Sequence, residues 1–198
     1  TYQGDLTKKN NIDKFINFGI KNFKKIDAAV YCSYPKSKKW GVSFENLDEY
    51  YLNQDLQKQL GGSIIFCQRI IKRFIQKKKE NLILISSIQG VQAPKFEHYK
   101  NLKMSSPIEY SAIKSGIISI TKYLSKYYRN KNIRVNCVSP GGIKDNQSNE
   151  FVKRYRKSCN SIGLISDSDV SKLILFLLSE ESKYINGQNL IIDDGWTL

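Results

Sequence analysis

Four short runs along the chain are mostly apolar and rich in branched residues: Ile26–Tyr31, Leu82–Ile85, Ile133–Val138 and Asn189–Ile192. Near-continuous runs of this kind, rather than strict alternation, mark strands covered on both faces, as in parallel sheets. Between them the apolar positions shift to a helical period. Ile113, Ile117, Ile120 and Leu124 make one stripe; Val170, Leu173, Ile174, Leu177 and Leu178 make another, with Gly187 well beyond its end. A third long helix is expected from about Gln54 into the run Lys77-Lys78-Lys79. Strands alternating with helices predict an α/β, doubly wound, Rossmann-like parallel sheet flanked by helices, with residues 1–198 forming a single domain.

The clearest helix start is Ser106-Pro107-Ile108-Glu109. Ser106 is expected to cap, Pro107 suits the first helical position, and Glu109 completes a capping box. Tyr110 then falls in the first turn, and Lys114, four residues on, shares its face. A phenol with an ordinary pKa of about 10 moves protons poorly at neutral pH. A neighbouring ammonium favours the phenolate, so the pair is a possible general acid/base. In a chain with 12 Tyr and 26 Lys this spacing arises easily by chance, and an exposed helical pair is the simpler reading.

Composition narrows the alternatives. The 198 residues are 40% apolar, enough for one core, and no run approaches the roughly 20 apolar residues of a membrane span. Thr1-Tyr2-Gln3-Gly4-Asp5 has no secretion-signal pattern, and opening without Met reads as a processed or incomplete chain. The net charge of +14 comes from 26 Lys and 6 Arg spread along the sequence. Dedicated nucleic-acid surfaces combine Arg with aromatics, so the charge is read as steering anionic ligands, and nucleic-acid binding as a distant alternative. Cys32, Cys67, Cys137 and Cys159 form no CxxC pair and His98 is the lone histidine, so no metal site is expected and the thiols read as reduced and cytoplasmic.

Three further segments change the weight of the Tyr110–Lys114 pair. Ser86-Ser87 closes the strand Leu82–Ile85, with Gly90 just after. The strand from Ile133 runs into Ser139-Pro140-Gly141-Gly142. Near the end comes Asn186-Gly187-Gln188-Asn189-Leu190-Ile191-Ile192-Asp193-Asp194-Gly195-Trp196. In this order the segments resemble the short-chain dehydrogenase/reductase family over nearly the whole chain.

The resemblance implies a hydride transfer between a nicotinamide cofactor, NAD or NADP, and a carbinol carbon. It assigns proton exchange to Tyr110, substrate-oxygen binding to Ser87, and control of the phenol and of the nicotinamide ribose to Lys114. It places Asp5-Leu6-Thr7 at the adenine, the backbone of Cys32-Ser33 beside the adenosine ribose, and Pro140-Gly141-Gly142-Ile143 around the nicotinamide. The chain departs from the family at several points. Tyr31-Cys32-Ser33-Tyr34 stands where Asn-Asn-Ala-Gly is usual, Gln59 aligns with the Asn of the proton relay, and Lys144-Asp145-Asn146 replaces the segment with the usual Thr. None of the 12 glycines forms the GxxxGxG turn that cradles a pyrophosphate. The chain therefore reads as starting near the end of the third strand, N-terminally truncated: an enzyme fragment, or an inactive remnant that partners an intact paralogue.

The 23 residues from Ser87 to Tyr110 make a long interval, and Val91–Lys100 is expected to lie over the site. With Cys32-Ser33-Tyr34-Pro35 and the C-terminal segment, this insert resembles the flagellin-modification and surface-sugar branch, which implies a sugar or nucleotide-sugar substrate. The family also implies a homodimer or homotetramer built through the two long helices. Lys153-Arg154-Tyr155-Arg156-Lys157 lies where the family has a mobile lid. A cation there meeting a substrate phosphate is weighed against a solvated helix face, and His98 is read as a loop residue.

Overall fold

The computed structural model describes residues 1–75 and 80–198. Four strands, β1 (Ala28–Tyr31), β2 (Glu80–Ile85), β3 (Ile133–Pro140) and β4 (Asn189–Ile192), lie in that order in one parallel sheet. Each expected run became a strand. β1 begins two residues later than read, because Ile26 packs against the helical layer instead. Among the described residues six α-helices flank the sheet: α1 (Lys9–Phe23), α2 (Glu49–Asp55), α3 (Gly62–Phe74), α4 (Ile108–Tyr127), α5 (Asn149–Arg156) and α6 (Asp167–Leu178).

The two faces of the sheet carry separate cores. Leu82 and Leu84 turn one way, onto Ile12 of α1, Phe66 and Ile70 of α3, and Ile113 and Ile117 of α4. Ile83 turns the other way, onto Val170 and Leu177 of α6. This two-residue alternation within an all-apolar run is why the strands read as continuous. A third cluster, Ile88, Phe151, Tyr155 and Trp196, sits at the carboxyl end of the sheet.

The long helix ahead of β2 differs from its expected form. It starts at Glu49, capped by the Asp48 carboxylate, and passes through a six-residue π-type turn, Leu56–Gly61, before α3. The expected continuation into Lys77-Lys78-Lys79 falls outside the described residues. The α4 start also differs. Pro107 itself is the N-cap, and no side chain caps it. The Ser106 hydroxyl instead donates to the Gln89 carboxamide, and the Glu109 side chain is buried, so no capping box forms.

Arg134 of β3 holds the end of α6. Its guanidinium donates to the carbonyls of Leu177, Ser179, Ser182 and Ile185 and to the Ser182 hydroxyl, at 2.8–3.2 Å. A helix C-terminus leaves carbonyls without intrahelical donors, and one planar cation satisfies several at once. Asn136 then seats the approach to β4 by donating to Ile185 O and accepting from Gln188 N–H. Replacing Arg134 with Met strands these carbonyls, and urea unfolding followed by circular dichroism should show a loss of about 2–4 kcal/mol.

Candidate active site

Parallel pairing brings the carboxyl ends of β1, β2 and β3 to one edge, where Tyr31 pairs with Leu84 and Ile85 with Val138. Open α/β sheets bind ligands at this edge. A cleft of about 360 Å³ opens there, lined by Cys32, Ser87, Tyr110, Lys114 and the loop Pro140–Ile143. Residues from three strand ends and one helix thus share a single cavity.

The turn after β2 is locked to α4 through backbone. The Ser86 hydroxyl donates to the Lys114 carbonyl at 2.7 Å, and the Ser115 hydroxyl donates to the Gly90 carbonyl at 2.8 Å. A Cβ on Gly90 would lie 2.6 Å from the Lys114 carbonyl carbon, so only glycine allows this approach. Ser87 is thereby held beside Tyr110, close enough for its hydroxyl to favour the phenolate. The Ser87 oxygen also accepts from Gln89 N–H at 3.2 Å.

Lys114 is buried and donates to the Ile85 carbonyl at 3.1 Å. Its ammonium lies 5.5 Å from the Tyr110 ring centre and 5.3 Å from that of Tyr34. Burial, the dominant effect, pulls the Lys114 pKa down to about 8. Burial also pushes the Tyr110 phenol above its ordinary value, and the Ser87 hydrogen bond opposes this without reversing it. The sequence-based expectation was a lowered phenol. The ammonium stands over the ring face and is engaged by Ile85, while removal from water penalises the phenolate.

Pro140–Ile143 is shaped by its own contacts. Gly142 O accepts from Ile165 N–H, and Lys144 N–H donates to Ile165 O. In such a parallel bridge the N–H of the intervening Ile143 points away from Ile165. The Ile143 carbonyl accepts from the Gln147 carboxamide at 2.7 Å, and Gly142 N–H donates to the Tyr155 hydroxyl at 2.6 Å. A buried ammonium next to a backbone donor and acceptor suits the hydroxyls and carboxamide of a nicotinamide riboside. No glycine-rich turn for the pyrophosphate stands among the 198 residues.

Other sequence-based site residues lie apart from the cleft wall. Asp5 is exposed and accepts from Thr7 N–H and Thr7 hydroxyl, which, with a smaller pull from Lys8 and Lys58, holds its carboxyl below the usual range. Leu6 packs on the edge of the helical core, and the Ser33 side chain approaches the Tyr31 phenol. Gln59, on the π-type turn, is 2% exposed, and its amide nitrogen has no hydrogen-bond partner among the described residues. Of the lid cations Arg154 is tied to structure, while Lys153, Arg156 and Lys157 are exposed. Arg154 donates to Glu150 and to the carbonyls of Glu97 and Lys100, clamping α5 onto the insert. His98 is buried among aromatic rings, 2.9 Å from the Ser158 hydroxyl, rather than sitting in an open loop.

Two residues in the cleft region were not singled out as chemistry in the sequence. Tyr34 and Trp40 pack edge-on to each other and to Tyr110, at ring distances of 5.4–6.2 Å. Only the unusual tyrosine at position 34 hinted at this wall.

Comparison with known proteins places these features. A family model described as enoyl-(acyl carrier protein) reductase matches residues 1–197. The chain is 43% identical over 195 residues to the post-translational flagellin modification protein A of Campylobacter coli, covering 98% of this chain and 76% of that protein. It is 28% identical to the 7alpha-hydroxysteroid dehydrogenase of Bacteroides fragilis, covering 97% of this chain and 72% of the other. An NAD+-bound short-chain dehydrogenase from Leptospira borgpetersenii superposes with a TM-score of 0.89 at 32% identity, over 100% of this chain and 75% of that one. Among the described residues no helix is long and apolar enough to cross a membrane.

The depressed Lys114 pKa has a stability consequence. With a folded value near 8 and an unfolded value of 10.5, folding carries a cost that is full below pH 8, shrinks as pH rises through that window, and is gone above 10.5. The cost is at most about 3 kcal/mol. Lys114→Met should therefore be the more stable protein by on the order of 1–3 kcal/mol at pH 7. Urea unfolding at pH 7, 9 and 10.5 should show that gap closing.

Proposed function

Because the chain belongs to the short-chain dehydrogenase/reductase family, we propose that it interconverts an alcohol and a carbonyl with Tyr110, Ser87 and Lys114 as the reacting constellation. The observation that carries the reading is the convergence of these three side chains on one cleft, where the Ser87 hydroxyl acts on the Tyr110 phenol. Tyr110 passes a proton to or from the substrate oxygen. Ser87 donates to that same oxygen and stabilises the charge that develops on it. Lys114, as a cation, favours the phenolate once proton transfer begins and holds ribose hydroxyls of the cofactor.

A bound nicotinamide dinucleotide, NAD or NADP, supplies or accepts the hydride. Ile143 would hold its carboxamide through the backbone, and Pro140, Gly141 and Gly142 would form the floor under the ring. On the same reading Asp5 and Leu6 serve the adenine end and the Cys32-Ser33 backbone the adenosine ribose. Gln59 takes the relay position, and its unpartnered buried amide is what a relay water would satisfy. The substrate reading, a sugar or nucleotide sugar of surface or flagellin glycans, is supported by the 43% identity to a flagellin modification protein. Assembly as a homodimer or homotetramer is proposed through α3 and α4, which leave Ile64, Tyr123 and Tyr127 exposed.

In the intact protein, Tyr110→Phe and Ser87→Ala should each lower kcat/KM by about 10²–10⁴-fold while Kd for NADH or NADPH stays within a few-fold of the parent. Loss of cofactor binding in the phenylalanine variant would instead assign Tyr110 to binding. Because Lys114 loses its proton near pH 8, kcat/KM for carbonyl reduction should fall as pH rises above that value. A pH profile flat to 10 would remove the ammonium from the mechanism.

A further inference from the structure

A groove of about 700 Å³ adjoins the cleft and shares Tyr99 and Met104 with it. Its walls are Phe44 on one side, Phe96 on the other, and Ile108 at the start of α4. All three are half exposed or more, although large apolar residues are normally found buried. The turn Phe96–His98 inverts that preference within three residues: His98 is 1% exposed and Phe96 is 65% exposed.

This exposure is built, not loose. Arg154 donates to the carbonyls of Glu97 and Lys100, and Lys95 donates to the Trp196 carbonyl at 3.1 Å. Those anchors fix the turn that presents Phe96. On the other side the Ser105 hydroxyl donates to the Gly41 carbonyl at 2.6 Å, joining the Met104 segment to the stretch that carries Phe44. Both walls are thus tethered at a set width, and a polar ladder of Ser106, Gln89 and Tyr99 marks the junction with the cleft. An apolar patch of this kind, continuous with a catalytic cavity, is suited to the carbon skeleton of what reacts there.

We propose that this groove is a binding subsite for an apolar arm of the substrate. The substrate is then a secondary alcohol or ketone carrying a hydrocarbon chain or ring of several carbons next to the reacting carbon. A sugar substrate would have to bear such an arm. The proposal rests on the reading that the cleft acts on a carbon–oxygen bond at Tyr110 and Ser87.

The test is equilibrium binding of 2-alkanones from 2-butanone to 2-decanone to the intact protein, read by tryptophan fluorescence and calorimetry. Kd should fall about threefold per added methylene, somewhat below the roughly fourfold of complete burial. Phe96→Ser and, separately, Phe44→Ser on the opposite wall should flatten this dependence, with circular dichroism unchanged. A Kd independent of chain length overturns the proposal. So does a slope unchanged in both variants, or sedimentation showing that the serine variants only dissociate a dimer of this chain. Tyr110→Phe should keep the slope; normal slope without hydride transfer in the parent leaves the subsite standing and removes the catalytic reading alone.

Discussion

The positions of Ser87, Tyr110 and Lys114 follow from the contact between the end of β2 and α4. The Ser86 hydroxyl reaches the Lys114 carbonyl in the middle of a helix, where that carbonyl already serves the helical ladder. This is possible because Gly90 lets the turn sink onto α4 without a side chain between them. Once the backbone of Lys114 is fixed to the strand end, its side chain can only run along the sheet edge to Ile85 O, and Tyr110, one turn earlier, faces Ser87. Geometry that depends on backbone atoms and a missing Cβ is rigid, as a proton-transferring pair requires.

That rigidity holds a charge in an unfavourable place. Lys114 is removed from water with no carboxylate paired to it among the described residues; it faces a carbonyl and two tyrosine rings. Ring faces and one carbonyl offset part of the loss, and the downward direction of its pKa shows that burial still prevails. The same burial lifts Tyr110, so both groups are biased toward their neutral forms. Functional sites commonly retain such unfavourable electrostatics.

The sheet and the cleft were legible in the sequence to different depths. Strand positions and helix stripes followed from burial period alone, because Leu82, Ile83 and Leu84 each find a covered face. Tyr110, Lys114 and Ser87 were legible through ordered motifs, and the structure brings them together. The sequence could not show the direction of competing effects. Whether an ammonium or burial governs the phenol depends on where the ammonium points. Ser106 looked like a cap, yet Gln89 lies close enough to take its hydroxyl. Arg154 read as a solvated or anion-facing cation, yet the carbonyls of Glu97 and Lys100, more than fifty residues away, satisfy it. These outcomes turn on contacts between distant segments, which local pattern does not encode.

The departures from the family pattern are not spread evenly. Ser87, Tyr110 and Lys114 hold their expected positions, while the unusual residues lie on the walls around them. Tyr34 stands where glycine is usual and fills the space beside Tyr110 with a ring that also faces Lys114. The insert pins its own turn through His98 and Arg154, and the hydroxyl of Tyr155 on α5 reaches Gly142 N–H. Insert, α5 and the loop after β3 are therefore one connected body, closed over the cleft by hydrogen bonds and the Phe151–Tyr155–Trp196 cluster. On the proposed function, keeping Ser87, Tyr110 and Lys114 while rebuilding what surrounds them would change what the cleft accepts rather than the reaction itself. The walls, rather than the Tyr110–Lys114 pair, are where this sequence departs from the family pattern it resembles.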